Sequence, residues 1–77
     1  MDKEQQTFGM KAVGLDFNPS GDARVKNLKE AAANFIDIAH NIREQSDDPE
    51  VKRMMSVAIT EAQTAQMWAV KGATWTK

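Results

Sequence analysis

Arg24, Lys26 and Lys29 crowd the first turns of a long helical stretch, and this is where chemistry first suggests itself. The amides at a helix start already carry partial positive charge. Cations there cost roughly a few tenths of a kcal/mol each unless an anion is close. Asp22 and Glu30 offset this only in part, so the spacing fits either a solvated charged face or an anion site. Trp68, Lys71, Thr74 and Trp75 close the second long stretch. An antiparallel return carries them to the end that holds Phe17, Asn18, Lys26 and Lys29. Rings stack on bases, cations meet phosphates, and Thr or Asn reads edges and sugars. The ligand-binding set expected from the residues is therefore Phe17, Asn18, Lys26, Lys29, Trp68, Lys71 and Thr74. Each tryptophan has a plainer role open to it, as an anchor between chains, and Trp68 more so than Trp75.

Catalysis finds little support. His40, the sole histidine, falls on the polar side of its helix and far from the aromatic end. The carboxylates follow caps and i,i+4 pairing rather than a pair in an apolar pocket. No nucleophile has an activating partner. No glycine-rich loop follows a strand, and no metal-ligand spacing is present. The expectation is no enzyme, no cofactor and no metal.

The elements that must position these residues hinge on Ser46-Asp47-Asp48-Pro49-Glu50. Asp48 caps a helix, Pro49 occupies its first position, and Glu50 favours the dipole. So short a connection makes the flanking helices antiparallel neighbours. The first runs from Asp22 to about Gln45, the second from Pro49 to about Ala73. The start of the first is signalled by Asn18-Pro19-Ser20-Gly21, with Asn18 or Ser20 as cap. Its apolar stripe is Val25, Leu28, Ala32, Phe35, Ala39 and Ile42, widened by Ala31, Ile36 and Ile38. The second carries a seam of Val51, Met55, Ala58, Ala62, Ala65 and Ala69, whose small residues are expected to set the spacing between the helices. Ile59 and Val70 flank that seam on one side, Val57, Trp68 and Trp75 on the other. These apolar arcs span roughly 160° and 220°, where one neighbour covers about 100°. The arm or further copies must cover the rest. Asn27, Asn34 and Asn41 recur every seven residues, as a solvated border or as a polar ladder between chains. Residues 1–12 can form a marginal helix that Gly9 weakens and that orders only by docking. Gly14 to Phe17 reads as a linker. The fold class is all-α: an antiparallel two-helix hairpin (15–77) with a short N-terminal helical arm (1–14), assembled as a homo-oligomer.

The totals agree with that reading. Seventy-seven residues without cysteine make one small domain that lacks disulfides and needs packing between chains. A net charge of −1 argues against DNA as partner. No apolar run is long enough to span a membrane, and MDKEQQTF lacks the apolar core of a signal peptide. The chain is expected to stay where it is made.

Two stretches carry a resemblance. They are Phe17-Asn18-Pro19-Ser20-Gly21-Asp22 with Val25 and Leu28-Lys29, and Glu61-Ala62 with Met67-Trp68-Ala69-Val70-Lys71. Together they resemble the hairpin domain of phage cyclic-nucleotide sponges, the anti-CBASS proteins, shared with Thoeris anti-defence sponges. The resemblance covers roughly residues 15–75. It implies a non-catalytic oligomer, commonly a hexamer, that sequesters cyclic di- or trinucleotides in the cytoplasm of the infected bacterial host. It also implies that Phe17 stacks on a base and Lys29 meets the phosphates, with Phe8 or Lys26 as substitutes in a shifted register. The family's stacking residue is often tyrosine, so Phe17 is a departure. A second class stays open: a helical oligomeric interaction module or adaptor without a nucleotide. An adaptor needs no Lys26, Lys29 or Lys71 beside its tryptophans, whereas a sponge does.

Overall fold

The computed structural model describes residues 5–76 and holds three helices. They are α1 (Phe8–Val13), α2 (Ala23–Gln45) and α3 (Pro49–Ala73). The part of the expected arm helix that falls on residues 1–4 lies outside the described residues.

The corner between α2 and α3 forms as its residues dictate. Asp48 Oδ1 accepts from the Glu50 amide at 2.9 Å, and Pro49 opens the helix. Lys52 Nζ donates at 3.0 Å to the Arg43 carbonyl, which also accepts from the Ser46 amide at 3.4 Å at the end of α2. The two long helices run antiparallel as expected.

The start of α2 differs. Neither Asn18 nor Ser20 caps it; Asp22 does, with Oδ1 accepting from the Arg24 amide at 2.8 Å. The reason is that Asn18 and Ser20 are spent on the turn before it. The Gly21 amide donates to the Asn18 carbonyl at 3.1 Å, with Pro19 second and Gly21 fourth, the positions a type I turn favours. Ser20 Oγ donates to Asn18 Oδ1 at 2.8 Å, and Asn18 Nδ2 donates to the Asp22 carbonyl at 3.1 Å.

Two expectations about packing are corrected. The buried positions of α2 are Val25, Lys29, Ala33, Ile36 and Ala39, while Phe35, Ile38 and Ile42 stay exposed. On α3 the buried positions are Ile59 and Gln66. The seam is therefore split: Met55 and Ala62 pack against the core, and the rest of its alanines do not fill the helix contact. Ala58, Ala65 and Ala69 instead line an open groove of about 530 Å³ with Leu28, Ala31 and Phe35. The core gathers where three helices meet, around Ile36 at 0% exposure, with Val13, Ala33, Ala39 and Ile59. Branched Val13, Ile36 and Ile59 each contribute more buried apolar area there than Ala33 or Ala39. Asn27, Asn34 and Asn41 are all exposed on the single chain, which a solvated border and a ladder between chains both require.

The arm covers one flank. Thr7 caps α1, and Gly14 ends it at φ 61. There the Gly14 amide donates to Lys11 O and the Leu15 amide to Met10 O, at 3.2 and 3.0 Å, the paired bonds of a left-handed helix stop. Gly9, expected to weaken the arm, is the residue that lets it dock. It is buried, its amide donates to Asp37 Oδ1 at 2.7 Å, and an added Cβ would strike the Ala33 carbonyl. Phe8 lies flat on His40, ring centroids 4.2 Å apart, so His40 is half-buried beneath the arm. Arg43 ties this corner together, within 3.0 Å of His40 Nδ1 and 3.1 Å from Ser56 Oγ. The molecule measures 46 × 30 × 12 Å, a slab one helix deep.

Candidate functional site

The segment from Gly14 to Gly21 links α1 to α2 and lays Phe17 across the open end of the hairpin. Phe17 is 72% exposed. It has no core role, so its ring faces solvent at considerable hydrophobic cost. Beneath it lies Lys29, only 6% exposed. Lys29 Nζ donates to the Gly14 carbonyl at 3.0 Å and to the Phe17 carbonyl, and sits 5.4 Å from the Phe17 ring centroid. A buried ammonium needs every available partner. Here the partners are neutral carbonyls, so the charge is held without being cancelled. Three hydrogens less the two donated leaves one free for an incoming acceptor.

Phe17 and Lys29 border two clefts at once. One, of about 190 Å³, also takes in Asn18, Ser20, Val70 and Thr74. The other, of about 720 Å³, opens between the arm and α3 and adds Lys11, Thr60, Gln63, Thr64 and Met67. Of the residues expected at the site, the structure thus gathers Phe17, Asn18, Lys29 and Thr74. Lys26 is exposed and borders neither cleft. Trp68 and Lys71 form a separate cluster with Trp75, the Lys71 Nζ lying 5.3 and 5.9 Å from the two indoles. Two residues along a helix is about 200°, so Trp68 faces nearly away from Val70 and the smaller cleft.

The helix start is not a vacant anion site. Asp22 occupies it, and the Arg24 guanidinium holds its carboxyl below the usual range by a 2.8 Å ion pair. Arg24 also donates to the Ala73 carbonyl at 2.9 Å, clasping the end of α3. Lys29 is corrected in kind. Expected only to meet phosphates, it instead lies within the buried face of α2 and anchors the arm's connection. A Lys29→Ala variant therefore disturbs the arm as well as any ligand.

Sequence reasoning missed Lys11, Thr60, Gln63, Thr64 and Met67. A signal was present: Thr60, Gln63, Thr64 and Met67 recur at three-four spacing, a mainly polar face between apolar ones. Among the described residues no group of acidic and histidine side chains could hold a metal ion, and no helix is long and apolar enough to cross a membrane. The arrangement can hold an anion beside an aromatic platform.

A family model described as Acb2/Tad1, hairpin domain, matches residues 10–74. No curated protein and no solved structure matches the chain.

Proposed function

The chain belongs to the Acb2/Tad1 hairpin-domain family of anti-CBASS and anti-Thoeris sponges, and from that premise we propose that it binds cyclic di- or trinucleotides and sequesters them without turnover. The observation that carries this reading is the exposed Phe17 ring above the buried, uncancelled charge of Lys29. A base stacks on the first and a phosphate oxygen takes the remaining hydrogen of the second. Stacking contributes roughly 1–3 kcal/mol per base. A charge-assisted hydrogen bond contributes about 1.5–3 kcal/mol. Asn18 and Thr74 border the smaller cleft and suit the sugar. Lys26, Trp68 and Lys71 are proposed contacts for parts of the ligand that reach beyond the clefts. The hairpin (15–77) with its arm (1–14) works as a homo-oligomer, a hexamer in this reading, in the cytoplasm of the infected bacterial host.

Calorimetric titration with a panel of cyclic di- and trinucleotides tests this, followed by heating, filtration and chromatography of the released ligand. Tight binding and intact recovery are expected. Phe17→Ala should weaken binding about tenfold through lost stacking while helicity is kept, because Phe17 lies outside the core. Recovery of hydrolysed nucleotide, or no heat from any ligand, overturns the proposal. The open apolar groove also suits the second class, an adaptor that binds protein alone. An assembled protein that binds no nucleotide would favour that class.

A further inference from the structure

We propose that Gln63 is a specificity-determining residue, reading a hydrogen-bond donor on the edge of a base held in the cleft between the arm and α3. The inference rests on the sequestering function above and adds a chemical preference to it.

The larger cleft, about 720 Å³, lies within the size range of small-ligand sites. Phe17 and Lys29 border it, as do Ala12, Thr60, Gln63 and Met67. Gln63 Nε2 donates to the Ala12 carbonyl at 3.1 Å. Ala12 stands in the last turn of α1, where a carbonyl has no partner within the helix. A carbonyl oxygen can only accept, so the amide cannot be reversed without placing two acceptors face to face. The orientation of the side chain is thereby set by the arm. One of its two N–H groups is committed to the arm, and Oε1 is left as its free acceptor.

Oε1 accepts no hydrogen bond from the described residues, yet among those residues no side-chain polar atom is buried without a partner. Oε1 is therefore open to solvent, on a residue that borders the cleft. An acceptor fixed beside an aromatic platform discriminates by chemistry. A base presenting an exocyclic amino group is matched. A base lacking it leaves Oε1 without its water and without a partner, the arrangement by which polar sites reject analogues. Adenine-type edges are favoured over the same ring without the amino group.

The test compares cyclic di-AMP with its analogue built from purine riboside, which lacks only the two amino groups. Calorimetry on the full chain should show cyclic di-AMP bound roughly tenfold tighter or more. Gln63→Lys can still donate to Ala12 O but offers no acceptor, and Gln63→Met offers neither. In both variants the ratio of affinities should fall to about one. Reading a ratio within each variant removes the effect of the added charge and of any loosening of the arm. Equal affinities in the native protein, or an unchanged ratio in both variants, overturns the role of Gln63 and leaves the sequestering function standing. No binding of any cyclic nucleotide overturns both.

Discussion

Gly9 shows how one missing methyl group decides where an element docks. Its lack of a side chain lets α1 approach α2 until the Gly9 amide reaches Asp37. Composition alone ranks glycine as a helix weakener, and that ranking is right for an isolated peptide. What it omits is the neighbour: Ala33 lies 24 positions on, and no local pattern announces the contact. Gly9→Ala should destabilise the protein by about 1–3 kcal/mol, since a methyl group pressed against a backbone carbonyl forces the helices apart. Gly72→Ala is the control, because a Cβ there meets nothing within 4 Å. It should be neutral or stabilising by up to about 1 kcal/mol. Urea unfolding curves for both variants check this, and equal midpoints would remove Gly9 from its role. Lys29 carries the same lesson. Its residue type and helix were legible, but its burial depends on carbonyls supplied by the connection from α1, which periodicity cannot see.

At the scale of elements, both long helices begin with paired carboxylates. Asp22 is held below the usual carboxylate range by Arg24, and Glu50 by Arg53 in a 2.6 Å pair. A carboxyl whose folded pKa is lowered stabilises the fold at pH above its unfolded value. That contribution is lost as pH falls through the folded value. The thermal midpoint should therefore drop as pH is taken from about 5 to about 3. Both pairs are exposed, so added salt should shrink the effect. Asp22→Asn combined with Glu50→Gln should flatten part of the profile. An identical pH profile in the double variant counts against the pairs. Elements were the most legible level: α3 begins and ends where Asp48-Pro49 and the last apolar residues predict. The start of α2 was less so, because Asn18, Ser20 and Asp22 are all good caps and only the turn's own hydrogen bonds choose among them.

The whole molecule presents a groove it does not fill. Phe35, at 53% exposure, stands on its rim, with Ala58, Ala65 and Ala69 along its floor. In the assembly proposed above, this apolar surface would be the contact between copies. Light scattering should give a mass several times the 8.6 kDa of one chain. Phe35→Glu should shift that mass towards the single chain while circular dichroism stays helical, because a charge is tolerated in water but not between apolar faces. A native mass in this variant would move the contact elsewhere. The sequence revealed that too much apolar surface exists for one hairpin. It did not reveal which part the arm takes. That is set by Gly9 and the Gly14 stop, so the stripe sorted itself differently from a simple two-helix count.

A body 12 Å thick has only a small protected core of its own, the cluster around Ile36. In the assembly proposed above, the covering layer is another copy, and stability then rises with the logarithm of concentration. The first molecules made would then be the most open to proteolysis, and each later one would shield its predecessors. Capacity to soak up a signal would climb more steeply than synthesis does. The moment of protection would be set by dosage, ahead of affinity.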